Sequence, residues 1–170
     1  MAGYGLPNEQ HLSVVLQNSL EVEGHNIEIV NGSVSGSTSA GGLNIAEWTL
    51  SENNIDLMIL CLGANDMLRG INPKETKNNL EEIIKIAKNK NIKVVIAGMI
   101  APTSYGYSYK KSFDKIFSDL SKKYKLQLIP FLLEGVAQKP EFNLSDGMHP
   151  NDQGTIIIGN TLKKAILENL

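Results

Sequence analysis

Apolar residues recur along this chain in two rhythms, one of helices and one of buried strands. Leu12, Val15, Leu16 and Leu20 are spaced three or four apart, which predicts an amphipathic helix after a Gly5-Leu6-Pro7-Asn8 turn. Residues 27–30 form a short β-rich run that stops at Asn31-Gly32, and a helix is expected around residues 45–50. Residues 55–62 are almost wholly apolar, as expected of a strand covered on both faces of a parallel sheet. Asn72-Pro73-Lys74-Glu75 supplies an N-cap, a proline at the first helical position and a capping-box acid. Leu80, Ile83, Ile84 and Ala87 are the inner stripe of the helix that follows. Residues 92–99 then predict a strand, Phe113, Ile116, Phe117 and Leu120 a helix, and residues 126–131 another strand. Ile158, Leu162, Ala165 and Ile166 mark the inner face of a final helix.

Strands separated by helices imply βαβ units, a parallel sheet and a three-layer α/β domain. No repeat, low-complexity tract or linker interrupts residues 1–170, so a single domain is expected. One feature departs from the pattern. Doubly wound domains generally open with a strand that lies centrally in the sheet, whereas this chain opens with a turn and a helix.

Composition narrows the function classes. The 42% apolar and 20% charged fractions are those of an ordinary globular protein, and a net charge of −2 argues against nucleic-acid partners or anionic membranes. Cys61 is the single cysteine and lies in an apolar run, where a buried, inert thiol is expected. His11, placed in the first helix, and His25, in a turn, have no ligand partner at a useful spacing and read as surface residues. No metal or cofactor is therefore implied. No apolar run reaches transmembrane length, so no stable membrane insertion is expected.

In parallel α/β sheets, ligands bind at the carboxyl ends of the strands. The loop after residues 27–30 reads Asn31-Gly32-Ser33-Val34-Ser35-Gly36-Ser37-Thr38, with Gly41-Gly42 beyond. Its small residues allow backbone N–H groups to approach an anionic centre, or simply make a tight turn. It lacks the Gly-Lys-Ser/Thr of a phosphate loop, and Val34 stands where a nucleophile elbow needs serine. After the 55–62 run, Leu62-Gly63-Ala64-Asn65-Asp66 offers an Asn amide for the site or an Asx turn. Either Asn65 or Asp66 is the turn former. Near the end, Ser145-Asp146-Gly147-Met148-His149-Pro150 puts a carboxylate three residues before a histidine. That is either a surface turn or two-thirds of a triad.

Taken in order, Gly36, Gly63-Ala64-Asn65-Asp66 and Asp146-Gly147-Met148-His149-Pro150 resemble blocks II, III and V of the SGNH (GDSL-like) hydrolases, within their thioesterase I, arylesterase and lysophospholipase group. The likeness extends through residues 31–36, 62–70 and 130–136. It implies a flavodoxin-like three-layer sheet of parallel strands flanked by helices, and a serine esterase or thioesterase working through an acyl-enzyme. It also implies His149 as general base, Asp146 as its orienting partner, and the Gly36 N–H and Asn65 amide as oxyanion donors. Residues 67–72 match a mobile loop beside the acyl site, which makes Met67, Leu68, Arg69 and Gly70 substrate-binding candidates. Tyr105, Tyr107 and Tyr109, with Pro102, either border that site or are ordinary loop aromatics. Ser37 stands where many relatives carry Asp.

The resemblance departs at block I. The family's Gly-Asp-Ser-Leu, with the first central strand and the nucleophilic serine, is absent from the 170 residues, and Met1 stands just after where it would be. Either the coding sequence starts upstream and Met1 is internal, or the chain is a truncated product; codons read upstream in frame distinguish the two. The expected localisation is periplasmic or secreted if a signal peptide lies upstream, and cytoplasmic otherwise. Loss of a triad serine costs about 10⁶ in kcat, so the literal chain is expected to be nearly inactive. Missing a central strand, it is also expected to be poorly soluble. The expected partner is a small acyl ester or thioester, and the expected state a monomer or weak oligomer. The alternative is a non-catalytic α/β binding module or pseudo-hydrolase.

Overall fold

The computed structural model describes residues 2–51 and 54–169. They group into two compact units, Gly36–Phe131 and Met1–Ser35 with Leu132–Leu170.

The first unit is a parallel sheet with helices packed against it. Its strands β1 (Leu57–Leu60), β2 (Lys93–Ala97) and β3 (Gln127–Ile129) lie in the order β1-β2-β3. Leu57 is opposite Lys93, and Ile96 is opposite both Leu60 and Leu128. Val94 to Ala97 are all buried, because the middle strand has a neighbour on each side. The run at 55–62, expected to be covered on both faces, is half-buried at Leu57, Met58 and Ile59. As β1 it borders a strand on one side alone among the described residues.

Helix α2 (Ser39–Thr49) begins earlier than the expected helix around 45–50. The Thr38 hydroxyl caps it by accepting the Gly41 N–H at 3.3 Å, so Gly41-Gly42 belong to its first turn. Gly42 permits close packing: a Cβ there would lie 2.3 Å from Leu62 Cδ1. Helix α3 (Ala64–Leu68) follows β1 directly. Helix α4 (Pro73–Asn89) starts at the expected Asn72 cap, whose side chain takes the Lys74 N–H at 3.0 Å, and it buries Leu80, Ile83, Ile84 and Ala87. Helix α5 (Tyr107–Tyr124) buries Phe113, Ile116, Phe117 and Leu120. Both α4 and α5 pack on β2, α5 also packs on β3, and α2 packs on α4.

In the second unit, α1 (Leu12–Val22) packs along α6 (Asp152–Leu167), burying Leu12, Leu16 and Leu20 on one side and Ile158, Leu162, Ala165 and Ile166 on the other. Two expectations fail here. Residues 27–30 form no strand. Instead the Gln17 side chain supplies what a neighbouring backbone would, its Nε2 donating to Ile27 O at 2.9 Å and its Oε1 accepting the Ile29 N–H at 2.7 Å. His11 is not a free surface residue within the helix but its N-cap. It is half-buried, with Nε2 3.1 Å from Leu6 O and the ring so close to Gly3 that a Cβ there would lie 2.1 Å away.

One buried carboxylate joins three of the helices of the first unit. Asp66, in α3, is fully buried and accepts the Ser39 N–H at 2.7 Å, the Ser39 hydroxyl, and the Thr76 hydroxyl at 3.1 Å. Asn79 Nδ2 donates to the same Ser39 hydroxyl at 3.0 Å. The starts of α2 and α4 are thereby fixed to α3. Asp66→Ala strands these donors in the interior and should cost roughly 2–4 kcal/mol in urea unfolding. Asp66→Asn, which keeps one acceptor oxygen, should cost less; equal stability of all three proteins would show that the carboxylate organises nothing.

Candidate active site

The Asp146 turn is built from backbone inward. Gly147 adopts φ +67, a left-handed conformation that disfavours any side chain, and its N–H closes onto Leu144 O at 2.8 Å. The Leu144 N–H reaches back to His149 O at 2.7 Å, and Asn143 pairs with Pro150 in an antiparallel bridge. The buried Asn143 anchors this bridge, its Nδ2 donating to Val136 O and Lys139 O, each at 2.7 Å. Asn151 then caps α6 through the Gly154 N–H at 3.0 Å, while its own N–H binds Phe142 O at 3.0 Å.

Within this frame Asp146 Oδ1 accepts the N–H groups of Met148 at 2.8 Å and His149 at 2.9 Å. Its Oδ2 lies 2.7 Å from His149 Nδ1. The His149 backbone bond, the ring bond and the Met148 bond hold the Asp146 carboxyl down at about 2, from an ordinary 3.8. An ionised carboxylate only accepts, so Nδ1 carries the proton and, in the neutral ring, Nε2 presents its lone pair. The two side chains are 38% and 43% exposed, open enough for a reactant to reach the ring. Tyr4, which the sequence reading did not single out, lies over the imidazole with ring centroids 4.5 Å apart.

The other expected site residues lie in the first unit. Gly36 is exposed at φ +74, and Arg69 Nη2 donates to its carbonyl at 2.9 Å. Asn65 and Asp66, which read as alternatives, divide the work. Asp66 is buried in the helix knot, while Asn65 is half-buried and spends one amide proton on Ser37 O at 3.0 Å. A primary amide has two, so a second donor remains. Gly63, the N-cap of α3 at φ +112, brings the Asn65 turn against Phe117, whose Cζ would be 3.3 Å from an added Cβ.

Helix α3 ends abruptly. The Gly70 N–H binds Met67 O and the Ile71 N–H binds Asp66 O, both at 2.9 Å, with Gly70 at φ +64: a Schellman motif. It leaves Leu68, Arg69 and Gly70 exposed and Met67 half-buried. Tyr109 ties this loop to α5 by donating to Ile71 O at 3.0 Å. The tyrosines split. Tyr105 stacks on Tyr109, and Tyr109 on Phe113, in a ladder of centroid spacings 5.5 and 6.0 Å. Tyr107 points outward, 78% exposed.

Cys61 is half-buried, and burial pushes its thiol up, away from nucleophilic use. Among the described residues, no group of three His, Cys, Asp or Glu side chains is placed to hold a metal ion. A cavity of about 380 Å³, lined by Gln138, Lys139, Pro140, Asn143, Leu144, Ser145 and Gly147, borders the turn and includes neither Asp146 nor His149.

The chain is similar to known proteins over nearly its whole length. The model of the GDSL-like lipase/acylhydrolase family matches residues 1–155. The chain is 34% identical over 169 residues to an arylesterase of Vibrio mimicus, covering 99% of this chain and 84% of that protein. It is 33% identical over 138 residues to thioesterase 1/protease 1/lysophospholipase L1 of Escherichia coli K12, covering 81% of this chain and 66% of that one. The crystal structure of TesA superposes with a TM-score of 0.93 at 32% identity, over 99% of this chain and 94% of that one. Fold, motifs and relatives agree, and the chain belongs to the GDSL-like lipase/acylhydrolase family.

Proposed function

We propose that this chain carries the acid–base and oxyanion machinery of a serine esterase or thioesterase, acting on acyl or aryl esters, acyl thioesters or lysophospholipids. The observation that carries the reading is the 2.7 Å contact between Asp146 Oδ2 and His149 Nδ1, with Oδ1 clamped by two backbone N–H groups. A carboxylate so held fixes both the orientation and the tautomer of the ring.

The reaction is acyl transfer in two halves. A serine hydroxyl attacks the carbonyl carbon while His149 Nε2 takes its proton. The Gly36 N–H and the free Asn65 amide proton donate to the tetrahedral oxyanion. Collapse expels the alcohol or thiol, which leaves with the proton returned from Nε2. Water then repeats the sequence on the acyl-enzyme and releases the acid. The serine is assigned to the family's Gly-Asp-Ser-Leu block, which the 170 residues do not contain. Met67, Leu68, Arg69, Gly70 and Tyr105 border the acyl chain. The protein acts on small substrates as a monomer or weak oligomer, without nucleic acid. No helix among the described residues is long and apolar enough to cross a membrane.

Two proteins test this reading: the chain alone, and the chain preceded by Gly-Asp-Ser-Leu and its strand. The second alone should turn over p-nitrophenyl esters; activity in neither would favour a binding module. In the active form, His149→Ala should lower kcat by about 10⁶ and Asp146→Asn by roughly 10⁴. Asn65→Ala should cost roughly 10²–10³.

The turn also makes a prediction about pH. Because the folded carboxyl of Asp146 lies below its ordinary value, the turn's contribution to folding is complete above about 3.8. It is lost as the pH falls through about 2. The carboxyl carbon of Asp146, followed by NMR, should titrate near 2; a midpoint at 3.8 would mean the clamp is not formed.

A further inference from the structure

Building on the acyl-transfer reading above, we propose that Arg69 is a positioning residue for the oxyanion donors: its guanidinium latches the Gly36 loop to the short helix that carries Asn65. The latch is the bond from Arg69 Nη2 to Gly36 O at 2.9 Å, between residues 33 apart in sequence. Gly36 needs such a hold. It is exposed, left-handed at φ +74, and follows an irregular stretch from residue 25. A donor in a loose loop pays for its own alignment at every turnover, whereas a preorganised one does not.

The other end of the latch is rigid. Arg69 is the C-cap of α3, and its N–H binds Asn65 O at 3.1 Å, so it stands one turn after the second donor. The Schellman closure at Gly70 ends the helix at that point, and the buried Asp66 fixes the helix from below through Ser39 and Thr76. Asn65, in the helix, and Gly36, in a loop, are therefore both referred to a single turn-and-a-half of helix. The cation also lies beside the residue that carries the donor, with Nη2 2.9 Å from Gly36 O and 3.8 Å from where a Gly36 Cβ would be. That is the sign of charge that favours a developing oxyanion. The bond uses one guanidinium nitrogen on one carbonyl, a contact that a lysine ammonium can also make.

The test compares Arg69→Ala and Arg69→Lys with the unsubstituted protein, in the form that hydrolyses p-nitrophenyl butyrate. Arg69→Ala should lower kcat by roughly tenfold or more, a fraction of the loss of a whole donor, and by a larger factor than it raises KM, since Arg69 also borders the acyl chain. Arg69→Lys should restore most of that rate. The Ser37 amide shares its peptide group with Gly36 O, so its ¹⁵N resonance should move in Arg69→Ala and return in Arg69→Lys. Unchanged kcat in Arg69→Ala, a loss confined to KM, or no recovery with lysine overturns the proposal. His149→Ala is the control for the underlying reading. If turnover does not depend on His149, the esterase reading falls and takes this role with it, while the Ser37 resonance still decides whether the latch exists.

Discussion

A carboxylate that can only accept hydrogen bonds, set where donors converge, organises this chain in both of its units. At Asp146 the donors are two backbone N–H groups and an imidazole, and the result is a turn whose geometry and whose histidine tautomer are the same fact. At Asp66 the donors are the first residue of α2 and a hydroxyl from α4, and the result is a fixed α3. Neither arrangement requires an unusual backbone beyond glycines where φ is positive. Both turn a local polar residue into a positional constraint on the residue beside it: His149 in one case, Asn65 in the other.

The helices were legible because periodicity is a local property. The stripes Leu80-Ile83-Ile84-Ala87 and Phe113-Ile116-Phe117-Leu120 are buried as their spacing requires. The run at 27–30, expected as a strand, forms none, because strand formation depends on a partner. Here the pairing comes from the Gln17 side chain, which no window around residue 28 reveals. Gly41-Gly42 resembled a loop for a similar reason: glycine inside a helix is legible only once Leu62 is seen to need the space.

The site was partly legible. Asp146 and His149 are three residues apart, so their pairing is written into a single turn. The division between Asn65 and Asp66 was not, since burial separates two adjacent polar residues of similar shape. The Arg69–Gly36 bond and the placement of Tyr4 over His149 span long stretches of sequence and carry no local signal. Family membership supplies the order of these pieces, and hydrogen bonding supplies the reason each faces as it does.

The direction in which His149 holds its proton decides whether its ring can take one from a serine. Nitrogen-15 NMR of the neutral imidazole reads this directly, by distinguishing a protonated from a bare ring nitrogen. The prediction is a protonated Nδ1 and a bare Nε2, a preference that weakens in Asp146→Ala. A neutral ring protonated at Nε2, or a tautomer ratio indifferent to Asp146, would contradict it, because Nε2 would then have no lone pair with which to activate a serine.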